Sequence, residues 1–189
     1  MKQRICSTLV GLLVAGGAHL DTVSAQKPPL SDFQCSSGSC ENGFGAQQHK
    51  AGFQYEGEFV NGVRTGLGVE TMPGGVRYAG HFENNLPNGF GAMIFPDGRF
   101  FAGEWKDEFP HGCGLSVEMS RPDESVDLQM ELRHQGRWEH GEIVDPEADC
   151  HEDINKGHEA AKAAVAAGSG KPYVYTPAEP RAALSKEEV

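Results

Sequence analysis

A 23-residue repeat in the middle of the chain constrains its fold more than any other feature. Residues 55–59 (YEGEF) return as residues 78–82 (YAGHF) and again as residues 101–105 (FAGEW). A Gly-x-Gly step follows each block at a fixed offset, at Gly66 and Gly68, Gly89 and Gly91, and Gly112 and Gly114. Self-similarity at a fixed period of this length predicts a repeat array in which each copy is one supersecondary unit.

Within one repeat the pattern has the two-residue period of a β-strand. Alternation places Tyr78, Gly80 and Phe82 on one face of a strand. Turn signals separate the strands, at residues 84–88 (NNLPN) inside a unit and at residues 96–98 (PDG) between units. Each repeat is therefore predicted to be a β-hairpin, and the chain an all-β, elongated antiparallel meander of hairpins. The glycines are predicted to be spacers that let aromatic rings lie across the neighbouring strand.

The repeat can be followed in both directions from its three clear copies. Residues 42–45 (NGFG) match residues 88–91 letter for letter, so they form the second half of a degenerate copy. The next aromatic block arrives ten residues late, as residues 134–138 (HQGRW). The delay falls in residues 120–131, which we interpret as an inserted loop or an extended hairpin tip. The predicted repeat domain covers residues 35–144.

These residues resemble the MORN repeat, whose pattern is Tyr-x-Gly-x-Trp, a short turn and then Gly-x-Gly. The resemblance covers about residues 42–143, and its clearest positions are Tyr55, Gly57, Phe59, Tyr78, Gly80, Phe82, Phe101, Gly103, Trp105 and His111. It implies a single elongated sheet that serves protein interaction or dimerisation; some members are proposed to bind phosphoinositides. Residues 145–189 are too few for the catalytic domains that some members carry, so no attached catalytic domain is expected. The resemblance is to an exported, bacterial-type member of the family.

The N-terminal residues have the pattern of an export signal. Lys2 and Arg4 precede an apolar run at residues 5–20, and Val23-Ser24-Ala25 forms a small-residue cleavage site. A membrane anchor is the alternative, but the run is interrupted by glycines and falls short of the ~20 apolar residues of a spanning helix. We predict a signal peptide at residues 1–25, an extended leader at residues 26–34, and a periplasmic or secreted protein.

The cysteine count agrees with export, and the charge balance limits the possible partners. Without residues 1–25 the chain keeps four cysteines, Cys35, Cys40, Cys113 and Cys150, which allow three pairings. The first two flank a Ser-Ser-Gly-Ser turn, so the favoured pairing is 35 with 40 and 113 with 150. The same shortened chain has 14 basic and 26 acidic residues. Such a surface repels nucleic acid, which is excluded as a partner, and disfavours anionic membrane.

The C-terminal region has a different composition. Residues 159–167 are rich in alanine and end at Gly168-Ser169-Gly170, so a helix is predicted within residues 145–170. A helix of this length is marginal alone, and we expect it to dock on the sheet or on its open end. Residues 171–189 are rich in proline and charge and are predicted to be a flexible tail.

No motif for catalysis, cofactor binding or metal binding is found in the sequence. The Gly-x-Gly steps enter predicted strands rather than helix N-termini, so they do not form a phosphate loop. His111, Cys113, Cys150 and His151 have zinc-ligand types but lack a CxxC-type spacing. We therefore predict no enzyme, no cofactor and no metal.

The leading hypothesis is a non-enzymatic exported module that binds a protein partner or a second copy of itself, as in a homodimer. The predicted contact face is aromatic and consists of Tyr55, Phe59, Tyr78, Phe82, Phe101, Trp105 and Trp138. One alternative is a module that binds a membrane or envelope surface. A lesser alternative is an enzyme of unknown class, with a cleft where His111, His134 or His140 meets a carboxylate.

Overall fold

The computed structural model describes residues 27–119 and 131–168. The predicted signal peptide, the C-terminal tail and all of the predicted insertion except residue 131 lie outside the described residues. The leader is described from Lys27 onward, and it contains one 3₁₀ turn at Leu30–Asp32.

Ten antiparallel strands form one sheet in which every strand lies beside its neighbours in sequence. The strands are β1 (Gln34–Gly38), β2 (Gly43–Gln48), β3 (Gln54–Val60), β4 (Val63–Thr71), β5 (Arg77–Glu83), β6 (Leu86–Ile94), β7 (Phe100–Lys106), β8 (Phe109–Met119), β9 (Glu131–Glu139) and β10 (Glu142–Asp145). The predicted meander of hairpins is thus confirmed. Strands β8 and β9 pair as far as Met119 and Glu131, so the late fourth block belongs to a longer hairpin.

A row of glycines crosses the sheet at right angles to the strands. Each member pairs with the next across one strand boundary, from β1 to β9: Gly38, Gly45, Gly57, Gly68, Gly80, Gly91, Gly103, Gly114 and Gly136. The row is continuous because the glycines recur at the same position in each repeat, and the pairing of neighbouring strands aligns them. The row divides each hairpin into a stem and a tip.

The register shifts next to this row in each repeat hairpin. The shifts lie between Gly57 and Glu58, between Gly80 and Phe82, and between Gly103 and Glu104. Such bulges bend a strand locally and increase its twist. The hairpin tips are joined by backbone hydrogen bonds, for example from the Asn85 N–H to the Arg64 carbonyl.

The helix α1 (His151–Ala167) packs across β4 to β8 on one face of the sheet. Among its buried residues, Ala161 and Ala164 pack against a surface of the sheet that includes Val69, Ala79, Ala92, Ala102 and Val117. The helix lies within the predicted residues 145–170 and begins six residues after the end of β10 at Asp145. It covers a face rather than the open end of the sheet.

Both favoured cysteine pairs lie at disulfide distance. Cys35 and Cys40 have Cα atoms 5.9 Å apart and close the β1–β2 hairpin. Cys113 and Cys150 have Cα atoms 5.1 Å apart and join β8 to the residue that precedes α1. The first pair is local to the end of the array, whereas the second fixes the start of the helix to the sheet.

Candidate functional site

The aromatic face, which we define by the seven rings predicted from the sequence, lies on the side of the sheet opposite α1. The rings contact one another edge to face in a continuous series. Centroid distances are 5.2 Å from Tyr55 to Phe59, 4.9 Å from Tyr55 to Phe82 and 5.2 Å from Tyr78 to Phe82. The series continues at 5.2–5.4 Å through Tyr78–Trp105, Phe101–Trp105 and Phe101–Trp138. Such ring pairs contribute roughly 0.5–1.5 kcal/mol each beyond the area they bury.

The glycine row provides the space in which these rings lie. A Cβ on Gly68 would lie 2.6 Å from the Tyr55 hydroxyl and 2.7 Å from its ring. The same conflict would arise between Gly91 and Tyr78 and between Gly114 and Phe101. These three glycines are therefore ring spacers, as predicted.

The polar atoms of the rings are satisfied by the backbone beneath them. The Tyr78 hydroxyl donates to the His81 carbonyl at 2.9 Å, and Trp105 Nε1 donates to the Gly91 carbonyl at 3.1 Å. Trp138 makes the equivalent bond to Gly114. Burial raises the pKa of the Tyr78 phenol well above its ordinary range, so the ring stays neutral at any physiological pH.

All seven rings are 0–3% exposed. A partner at this face would therefore meet the residues around and above the rings before it met the rings. The role of these seven side chains in binding stays a prediction, and in the structure they pack against one another as one buried cluster.

A polar side chain recurs beside the bulge of each repeat. These side chains are Glu58, His81 and Glu104, which are spaced by 23 residues. The Glu58 carboxylate accepts from the Leu67 N–H at 3.1 Å, and Glu104 accepts from the Cys113 N–H at 3.3 Å. His81 Nδ1 instead lies 3.0 Å from the carbonyl of Phe90. These side chains stabilise the strand irregularity next to the glycine row, so their repetition is structural.

One ion pair is buried at the aromatic face. Arg64 Nη1 lies 2.9 Å from Glu70 Oε1, and both side chains are at most 1% exposed. The guanidinium lies 4.6 Å above the Tyr55 ring and 4.5 Å from the Phe33 ring. Burial lowers the pKa of Arg64, and the charge of Glu70 opposes that change. Its Nη2 atom is buried and has no hydrogen-bond partner among the described residues.

The N-terminal leader covers this ion pair. Lys27 Nζ lies 2.9 Å from Glu70 Oε2 and 2.6 Å from Glu108 Oε1, while Phe33 packs on Arg64. Burial alone would lower the pKa of Lys27, but attraction to the two carboxylates outweighs it and raises the pKa. Glu70 lies in a hairpin stem and Glu108 in the turn between β7 and β8. Lys27 therefore links the stem of one hairpin to the tip of another.

The MORN repeat family model matches three consecutive stretches of the chain, at residues 55–77, 78–98 and 101–116. The stretches coincide with the three hairpins β3–β4, β5–β6 and β7–β8. Residues 55–116 of this chain are MORN repeats. No curated protein sequence matches it significantly. MORN repeats are commonly modules for interaction with proteins or membranes, and the family is typically non-catalytic.

The buried ion pair distinguishes the first MORN repeat from the next two. Where that repeat has Arg64, the next copies have Pro87 and Pro110, and where it has Glu70 they have Met93 and Ser116. Sequence reasoning missed Arg64, Glu70, Lys27 and Phe33. The signal that could have found the first two is this departure from the repeat at two apolar-side positions.

The residues that suggested zinc or catalysis are brought together only in pairs. Cys113 and Cys150 pair with each other, and the rings of His111 and His140 are 6.4 Å apart. Within residues 27–119 and 131–168, no group of three or more His, Cys, Asp or Glu side chains could hold a metal ion. In the same ranges no helix is long and apolar enough to cross a membrane.

Proposed function

We propose that this MORN array is a non-catalytic interaction module that acts outside the cytoplasm, in the periplasm or as a secreted protein. It binds a protein segment, or a second copy of the chain, along its aromatic face. The observation that carries the proposal is the asymmetry of the sheet: α1 covers β4 to β8 on one face, whereas the segment described on the other face is the short leader.

Two further observations support the proposal. The described cysteines lie in two pairs at disulfide distance, which suits an oxidising compartment. The sequence adds an export pattern at residues 1–25. The net charge of −11 favours a basic partner over nucleic acid or anionic lipid.

The test combines light scattering on the oxidised full chain, over a range of concentrations, with capture of partners from the exporting compartment. Ile143 pairs with Trp138 on the aromatic side, and it is 37% exposed. Ile143→Ser is expected to weaken self-association or capture. Val60→Ser is the matched control, because Val60 is 54% exposed and follows Phe59 on the opposite side. A strict monomer that retains no partner would contradict the proposal, and flotation with anionic vesicles would show membrane binding instead.

A further inference from the structure

Glu70 and Glu108 form a slot for one cation at the aromatic face. The first carboxylate is fully buried, and the second is 13% exposed. The slot is filled by the Lys27 ammonium, which contacts both acids within hydrogen-bond distance. Charge-assisted bonds of this kind are stronger than neutral ones, because the partners are partly withdrawn from water.

The charges around the slot balance only when a cation occupies it. Glu70 faces Arg64 as well as Lys27, whereas Lys27 is the one cation within salt-bridge distance of Glu108 among the described residues. Withdrawal of Lys27 would leave two carboxylates beside one guanidinium. A net negative charge at a largely buried position is costly, so an empty slot favours binding of another ammonium group.

A second residue of the leader, Phe33, contacts the same face six residues after Lys27. The Phe33 ring is buried and lies 4.5 Å from the Arg64 guanidinium, which is held between Phe33 and Tyr55. Beneath it, Arg64 Nη2 is a buried donor without a described acceptor.

We infer that the leader is an internal pseudo-ligand, and that the aromatic face recognises an extended peptide segment with a lysine followed six residues later by an aromatic residue. The lysine enters the slot between Glu70 and Glu108, and the aromatic residue stacks on Arg64. The leader and a partner therefore compete for one site. This inference rests on the proposed function, and it names the chemistry of the partner.

The experiment uses the oxidised full chain and a labelled peptide with the sequence of residues 27–34 (KPPLSDFQ). The Lys27→Ala/Phe33→Ala variant opens the site, and we expect it to bind the peptide at least about tenfold more tightly than the wild-type chain does. Replacement of the peptide lysine by alanine should abolish binding. In the opened chain, Glu108→Gln should weaken binding about tenfold. Asp107→Asn is the matched control in the same turn, and it should have little effect.

Circular dichroism and thermal melting show whether each variant is folded, and Lys27→Ala alone replaces the double variant if that chain unfolds. Equal affinity of the opened and wild-type chains, or no peptide binding by a folded opened chain, would overturn the inference and leave the leader as a structural strap. The proposed function would still stand if light scattering or capture then showed a partner. Loss of both would overturn the two together.

Discussion

Gly157 of the helix lies directly against Gly103 of β7. A Cβ on Gly157 would be 2.5 Å from the Gly103 amide nitrogen and 3.0 Å from the Gly91 carbonyl oxygen. The helix backbone therefore approaches the glycine row from one side while the aromatic rings occupy it from the other. No other residue type in the middle of α1 would allow this separation.

The first prediction concerns Gly157→Ala. Helix propensity alone would stabilise the protein by up to about 1 kcal/mol, whereas overpacking against β7 is expected to cost about 1–3 kcal/mol. Overpacking should outweigh the gain in helix propensity, so the melting temperature should fall by about 2–4 °C for each kcal/mol lost in a domain of this size. Asn155→Ala, at an exposed position of the same helix, is the control and should be neutral or slightly stabilising. A more stable Gly157→Ala variant would show that the helix does not approach the sheet this closely.

Removal of one partner from the buried ion pair of Arg64 and Glu70 should destabilise the fold strongly. Replacement of both partners by apolar residues should destabilise it much less. Glu70→Gln leaves the guanidinium buried without its anion, so we expect a loss of about 3–5 kcal/mol in the free energy of unfolding. Arg64→Met/Glu70→Met removes both charges and should recover most of that loss. Both free energies can be measured by urea denaturation.

The ion pair of half-buried Arg99 with exposed Asp97 provides the control for this comparison. Asp97→Asn should change the free energy of unfolding by less than about 1 kcal/mol. If Glu70→Gln were no more damaging than Asp97→Asn, the pair would be hydrated rather than buried.

The two disulfides should contribute unequally to stability. In the chain-entropy model, a crosslink with a sequence separation of 37 stabilises by about 4 kcal/mol, and one with a separation of 5 by about 2 kcal/mol. Cys113→Ser/Cys150→Ser should thus lower the denaturation midpoint more than Cys35→Ser/Cys40→Ser does. The first variant should also lose helical signal earlier than sheet signal, because Cys150 holds the start of α1. The reverse order of midpoints would contradict this assignment.

His158 should make stability depend on pH below neutrality. Burial, with a smaller contribution from Lys162, lowers its pKa to about 4 from an ordinary value of 6.5, and Glu159 opposes the change. The folded state disfavours the charged ring, so the unfolded state binds the proton first as the pH falls. The contribution of His158 to the free energy of unfolding is therefore full above pH 6.5 and is lost as the pH falls from 6.5 to about 4. We expect a loss of roughly 1–2 kcal/mol over that range, after allowance for partial hydration.

The measurement is the difference in melting temperature between wild type and His158→Gln at pH 7 and pH 4. The wild-type chain should lose more stability on acidification than the variant does. His151→Gln, at an exposed position of the same helix, is the control and should follow the wild type. Parallel pH profiles for wild type and His158→Gln would remove the assigned role.

The repeat predicted the fold well because every copy has the same spacing of aromatic residues and glycines. A ring two residues before a glycine specifies a strand, a face and a spacer at once, and three copies specify the pairing of neighbouring hairpins. Turn signals such as residues 96–98 then fixed the strand ends. The half-copy at residues 42–45 could be found because its glycines keep the register even though the first aromatic block is absent.

The candidate site was harder to predict for the same reason. Lys27, Phe33, Arg64 and Glu70 belong to one cluster, but their contacts join a non-repeating leader to one repeat, so periodicity gives no indication of them. Alternation showed which side of the sheet the rings occupy and not how deeply they are buried. Gly157 weakens a helix by propensity, and only the packing of α1 on β7 explains its presence.

The glycine row also limits how such a chain can change in length. Loss or gain of one residue within a strand would move a side chain into the row, beneath a ring or against α1, and would reverse the faces of everything beyond it. Insertions and deletions that preserve the fold are therefore confined to turns, or involve the gain or loss of a whole hairpin. The ten-residue delay before the fourth aromatic block obeys this limit, because it falls between β8 and β9 and leaves Gly114 paired with Gly136.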